Sequence, residues 1–253
     1  PLIEKVLAGR KVGAYAQAFA QQLLGRVYWD QEQEEPALAA TSKAIELDAL
    51  PNNAHFGLMY QLAQMQVQTE KYADALKTLD RFKSETGVEN PDQIALLGNI
   101  YYRLEKYQEA ADTMKRAIAA SSEPKESWNQ ILMASLFELD QYGEAAKVIQ
   151  GQLAKTPDDI KLIKQLATVY INDDKYPQAI EVWKFLLGKW PRSPRIPEVT
   201  NLIARAYARG NDQDHERDAE HDGDAAHGDR VDEKAQAQAA ELAQIPEAGD
   251  AEL

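Results

Sequence analysis

The sequence predicts an all-α fold built from stacked copies of one short unit. Three observations predict it. A Lys/Gln-Tyr-x-x-Ala tract occurs four times, with Tyr72, Tyr107, Tyr142 and Tyr176 spaced 35, 35 and 34 residues apart. Twelve residues before the Ala that ends each tract stand Ala63, Gly98, Met133 and Ala167, each preceded by Leu. Three residues after those small positions come Gln66, Tyr101, Leu136 and Tyr170. A fixed period of this size marks a repeat architecture, in which no single copy buries its apolar face and stacking does so.

In chain order, an earlier copy is readable as Leu24-Gly25 with Tyr28 and Ala37, and a partial last copy as Ile203-Ala204 with Tyr207. The pattern resembles the tetratricopeptide repeat, whose L-G-x2-Y, A-x3-F and terminal Pro recur about every 34 residues. The resemblance spans Phe19 to Arg209. It implies a right-handed superhelical solenoid of antiparallel helix pairs, about five repeats plus a partial one. Gly25, Ala63, Gly98 and Ala167 on first helices, and the Ala of each Tyr tract on second helices, are small enough to let paired helices approach closely. Leu79, Met114, Ile149 and Trp183 fill the space between, and Tyr28, Tyr101, Tyr170 and Tyr207 point toward the core. Trp183 and Trp190 are expected to pack in or near the second helix of the fourth full repeat. Pro157 and Pro191 stop second helices where the pattern expects a stop. Copies ending near Pro51, Pro91 and Pro124 carry extra residues, which predicts longer turns there.

Three segments follow from this reading. Residues 1–18 form a capping helix or the remnant of an earlier repeat, 19–209 the solenoid, and 210–253 an acidic, Ala-rich tail. The last helix of the solenoid, about Ile196 to Ala208, lacks a partner, because its second helix would fall in the tail. The chain begins at Pro1 rather than Met, so its natural N-terminus is expected to have been processed or cut away.

Charge separates the tail from the rest. The chain has 28 basic and 41 acidic residues and a formal net charge of −13. From Gly210 onward there are 14 Asp and Glu against Arg217, Arg230 and Lys234, which leaves 27 acids and 25 bases before it. The tail has no aromatic residue and few large aliphatics, so it cannot offset its ordering entropy and is expected to be mostly disordered. Within it, Glu233 to Ile245 is Ala-rich, but an isolated helix of that length is marginal in water. An acidic chain repels nucleic acid and anionic membrane surfaces. No stretch approaches the ~18 apolar residues of a membrane span. The absence of Cys removes disulfides, thiol catalysis and Cys-based metal sites.

No catalytic constellation is present. The sequence contains no G-x-G-x-x-G, Walker loop, H-E-x-x-H or G-x-S-x-G. His55, near the start of a helix after Pro51, lacks a nucleophile partner and reads as a surface or capping residue. His215, His221 and His227 lie among carboxylates in the tail, where weak divalent-metal binding is the alternative to a solvated segment. No cofactor, catalytic residue or metal site is assigned.

A narrower resemblance rests on Glu123-Pro124-Lys125-Glu126-Ser127-Trp128-Asn129-Gln130-Ile131-Leu132, on Phe137-Glu138-Leu139 with Tyr142, and on Lys43 through Pro51. These look like the tetratricopeptide proteins encoded beside TonB, ExbB and ExbD in proteobacteria, over about Leu24 to Trp183. That resemblance implies an accessory role in TonB-dependent uptake, TonB-complex components as partners, and a periplasmic or envelope location, with the cytoplasm as the alternative. The family resemblance also implies that first helices line a concave face for a protein partner's peptide. It places Arg26, Trp29, Tyr60, Gln64, Asn99, Tyr102, Arg103, Gln130, Phe137, Lys164 and Arg205 there. Aromatic and Arg side chains dominate such recognition. Tyr102 and Phe137 are extra aromatics, one residue past the structural Tyr101 and Leu136. The competing expectation is a repeat domain of a larger envelope assembly, export or enzyme protein. Oligomeric state is not legible.

Overall fold

The computed structural model of the chain describes residues 12–87, 89–189 and 196–221, the side chains of 196–198 and 212–221 aside. Among these residues there are eleven helices and no strand. They are α1 (Ala14–Asp30), α2 (Glu34–Glu46), α3 (Asn52–Gln68), α4 (Tyr72–Thr86), α5 (Pro91–Arg103), α6 (Tyr107–Ala120), α7 (Glu126–Glu138), α8 (Tyr142–Leu153), α9 (Ile160–Asn172), α10 (Tyr176–Lys189) and α11 (Ile196–His221). Helices α1, α3, α5 and α9 carry a Leu–small pair, α7 has Leu132-Met133 at that point and α11 has Ile203-Ala204. The recurring Tyr opens each of α4, α6, α8 and α10.

The turn inside each repeat is built the same way. The second residue before each second helix is left-handed: Glu32 (φ 58°), Glu70 (60°), Glu105 (58°), Asp140 (54°) and Asp174 (53°). That turn lets the next backbone N–H reach back five residues. Gln33 donates to the Tyr28 carbonyl at 2.9 Å, Lys71 to Gln66 at 2.7 Å, Lys106 to Tyr101 at 2.9 Å and Lys175 to Tyr170 at 2.8 Å. These bonds satisfy carbonyls that a helix end leaves without partners. Asp140 and Asp174 add a side-chain brace, each accepting from the hydroxyl of the Tyr two residues on at 2.8 Å.

The chain divides between Leu139 and Asp140 into two compact units. In the first, each helix from α1 to α7 packs on the next, and α3 also touches α5, and α5 touches α7. Met59, Ile100, Met114 and Leu136 are fully buried there, as are Ala63, Ala75 and Ala110 at the close-approach positions. In the second, α8 packs on α9, α9 on α10 and α10 on α11. Ile163, Ala167, Ile180, Trp183, Ile203 and Ala206 form its core. Trp183 is 4% exposed, as expected for a core residue; Trp190 lies outside the described residues.

Several boundaries differ from the sequence reading. Helix α1 begins at Ala14, so the first repeat starts before residue 19. Most of 1–18 lies outside the described residues. The links before α3, α5 and α7 are residues 47–51, 87–90 and 121–125, no longer than the link 154–159 before α9. In the copy that ends near Pro91 the extra residues lengthen helices instead: α3 has 17 residues and α4 has 15, against 13 and 14 in α9 and α10. Pro91 opens α5 behind an Asn90–Gln93 capping box, rather than stopping α4, which ends at a left-handed Gly87. Helix α11 runs through Gly210 to His221, past the expected start of the tail. Residues 222–253 lie outside the described residues.

The glycines of the Leu–small pairs differ in how much they tolerate. A Cβ on Gly25 would sit 2.3 Å from Thr41 Oγ1, 3.2 Å from the Thr41 nitrogen and 3.3 Å from the Ala37 carbonyl. A Cβ on Gly98 would meet only the flexible Met114 side chain, at 3.0 to 3.2 Å. Gly25→Ala should therefore cost about 1–3 kcal/mol in urea unfolding. Gly98→Ala should cost less, because Met114 can give and Ala favours the helix by roughly 1 kcal/mol; Gly98→Leu should again cost about 1–3 kcal/mol. A Gly25→Ala protein as stable as the parent would contradict this packing of α1 on α2.

The turn residues make a second pair of outcomes. Left-handed backbone costs an L-residue roughly 1–2 kcal/mol. Glu105→Gly should raise stability by about 1 kcal/mol. Asp140→Gly should gain less, since it removes the acceptor of the Tyr142 hydroxyl. Equal gains from both changes in thermal unfolding would show that this brace contributes nothing.

Candidate functional site

Ten of the eleven expected binding residues occupy three repeat positions, counted from the Leu of each repeated pair or, in the last copy, from Ile203, and Arg103 lies one residue beyond the third. Tyr60, Gln130 and Lys164 lie two residues before Leu62, Leu132 and Leu166. Arg26, Gln64, Asn99 and Arg205 lie two residues after Leu24, Leu62, Leu97 and Ile203. Trp29, Tyr102 and Phe137 lie five after Leu24, Leu97 and Leu132, with Arg103 next to Tyr102. Offsets of three, four and seven residues share one helix face. Nine of the residues fall in the first unit, on α1, α3, α5 and α7. Lys164 on α9 and Arg205 on α11 fall in the second.

Their surroundings divide them further. Arg26, Gln64, Arg103, Gln130 and Arg205 are exposed. Asn99, Phe137 and Lys164 are half-buried. Trp29 is half-buried and packs against the core cluster of the first four helices. Tyr102 is half-buried with its ring centroid 5.7 Å from that of Tyr107, the residue that opens α6. The aromatics at this position thus serve the packing as well as the surface.

On the face formed by α3, α5 and α7, one contiguous polar group stands out. The Lys125 ammonium, at the cap of α7, lies 2.5 Å from Asp92 in the first turn of α5 and 5.6 Å from the centroid of the Trp128 ring. Burial pushes the Tyr60 hydroxyl above its ordinary pKa, and Asp92 raises it further, against opposing effects of Lys125 and a hydrogen bond with Gln64. Tyr60 therefore lies in the field of Asp92 and Lys125, with Lys125 over Trp128. Asp92, Lys125 and Trp128 were not among the expected binding residues. Their signal was present in the sequence: Asp92 and Lys125 are 33 residues apart, about one repeat, at the starts of consecutive first helices.

His55 is buried, at 3% exposed, and is not the expected surface or capping residue. Its ring meets Phe56 edge-on at 5.5 Å, and Phe56 meets Phe82 in the same manner at 6.0 Å. Asp48 and Glu85 each place a carboxylate oxygen 3.6 Å from one of its nitrogens, too far for a hydrogen bond. Its apolar neighbours on α3 and α4 draw it inward. Among the described residues no group of three or more His, Asp or Glu converges as a metal site would. No helix among them is long and apolar enough to cross a membrane.

Two tetratricopeptide-repeat family models match the chain, one over residues 93–126 and another over residues 20–49. No curated protein matches it in sequence. Among solved structures, MamA is similar at a TM-score of 0.56 and 16% identity, over 70% of this chain and 93% of that one. YrrB, described as a TPR protein with an unusual peptide-binding site, is similar at a TM-score of 0.52 and 19% identity, over 76% and 93%. A tetratricopeptide repeat protein from Parabacteroides merdae ATCC 43184 is similar at 0.55 and 14%, over 78% and 75%. The chain therefore has the fold of tetratricopeptide-repeat proteins and carries that repeat at residues 20–49 and 93–126.

Proposed function

We propose that the chain is a non-enzymatic interaction scaffold whose first helices hold an acidic peptide segment of a partner protein. The observation that carries this reading is the recurrence of Trp29, Tyr102 and Phe137 at one repeat position, beside exposed Arg and amide side chains, with α3 touching α5 and α5 touching α7 in the first unit. Tyr102 and Phe137 supply apolar anchoring, Asn99, Gln64 and Gln130 bond an extended backbone, and Arg26 and Arg103 favour carboxylates. Lys164 and Arg205 offer the same chemistry on first helices of the second unit. That YrrB has a peptide-binding site supports the same use of the fold here.

The likeness of residues 123–132 and 43–51 to repeat proteins encoded with TonB, ExbB and ExbD supports an envelope setting. Components of a TonB-type complex are then the first partners to test, with a cytoplasmic partner as the alternative. Affinity capture from envelope extract, followed by mass spectrometry, identifies the partner. Tyr102→Ala with Phe137→Ala should then weaken its binding by at least ~2 kcal/mol, with helicity by circular dichroism preserved. Arg103→Glu should weaken it as well, more at low salt than at high. Full affinity in the doubly changed, folded protein would move the binding surface elsewhere.

A further inference from the structure

On the second-helix side of the first unit, away from the residues assigned above, α4, α5 and α6 enclose a cleft of about 270 Å³. That is below the ~300–1,000 Å³ of small-molecule sites and suits one extended side chain. Leu79, Phe82 and Leu97 give it an apolar floor, and Tyr101 stands at its side.

The charges around it are unevenly matched. Both cations at the cleft are held by one carboxylate: Glu89 lies 3.2 Å from Lys83 and 3.0 Å from Arg116. Asp80, Glu109 and Asp112 also line the cleft, and none of them has an ion pair among the described residues. Asp112 accepts one hydrogen bond, from Gln108 at 3.1 Å. The Tyr101 hydroxyl feels this field: burial raises its pKa, then Asp80 and Glu109 raise it further, against an opposing effect of Arg116.

Thr113 supplies an independent sign of a ligand. A helical Thr can donate its hydroxyl to the carbonyl four residues back, as Thr78, Thr86 and Thr168 do. Thr113 is 5% exposed and lines the cleft, and its hydroxyl has no partner among the described residues. An unpartnered hydroxyl that opens on the cleft, beside unpaired carboxylates and an apolar floor, matches an aliphatic stem that ends in a cation.

We propose that this cleft binds an Arg or Lys side chain from a basic segment of a partner protein. The stem lies over Leu79, Phe82 and Leu97. The cationic head donates to Asp80, Glu109 and Asp112, and the Thr113 hydroxyl accepts one further N–H.

A fluorescein-labelled peptide of four arginines flanked by glycines, titrated with the full chain at 150 mM salt, tests this by fluorescence anisotropy. Asp80→Asn with Asp112→Asn should weaken binding at least ten-fold. Thr113→Val, which leaves net charge unchanged, should weaken it at least three-fold. Asp30→Asn with Glu34→Gln removes the same charge at exposed positions outside the cleft and should change affinity less than two-fold. Tyr102→Ala with Phe137→Ala should leave it unchanged, which separates this site from the first-helix face. Circular dichroism confirms that each protein is folded. No binding by the parent chain, parent-like affinity in Thr113→Val, or an equal loss in the outlying charge variant would overturn the proposal.

Discussion

The packing depends on how closely the two helices of a repeat can approach at the Leu–small position. At Gly25 the space is filled by the backbone and hydroxyl of Thr41, so even a methyl group has no room. At Gly98 the same space is filled by Met114 from the opposing helix. Ala63 and Ala167 are fully buried at the equivalent point. Because an α-helix turns about 100° per residue, fixing this contact fixes every other face of the first helix. Residues two before, two after and five after the Leu are carried to a common side, where Tyr60, Gln64, Asn99 and Tyr102 stand. The candidate binding surface is thus a geometric consequence of the close contact and needs no structure of its own.

The turn is the second constraint, and the sequence shows it less plainly. An acidic residue takes the left-handed conformation in all five turns, although Gly would do so without steric cost. What makes this tolerable is the bond that follows, in which the next N–H reaches a carbonyl that would otherwise be left open. In the second unit the Asp side chain is itself used, bracing Tyr142 and Tyr176. The Tyr that recurs every 34 or 35 residues is therefore a turn residue that opens the second helix, and this explains why its spacing is the most regular feature of the chain.

Helix pairing, repeat register and the core positions were legible because each is dictated by periodic apolar and small residues. The close-approach residues, the Tyr tract and Trp183 all stand where the spacing places them. The link lengths were not legible, because an added residue can extend a helix by one position as readily as a loop. Pro91 illustrates this: it opens α5 rather than ending α4. His55 was misplaced because a polar residue near a helix start reads as solvated, whereas here it is buried with Phe56 edge-on to its ring. Of the candidate site, the register positions were readable, but the grouping of Tyr60, Asp92, Lys125 and Trp128 was not. It arises from contacts between neighbouring repeats: the 33-residue spacing of Asp92 and Lys125 was present in the sequence, but aligning each repeat on the next does not show that the two residues meet.

The ion pairs between repeats show why the two sides of the first unit differ in what they can hold. Glu35 with Lys71, Glu89 with Lys83 and Arg116, and Asp92 with Lys125 each join consecutive repeats. Most of these groups are exposed, and such pairs contribute little to stability, about 0–1 kcal/mol each. Their larger effect is on what remains unpaired. On the second-helix side both cations near the cleft are taken by Glu89, and the surplus there is carboxylate. On the first-helix side Lys125 is taken by Asp92, and the exposed charges at the candidate positions are Arg26 and Arg103. Before the tail, where 27 acids and 25 bases nearly balance, the exposed charges at the candidate positions of the first unit are thus cationic, while those left unpaired at the cleft are anionic.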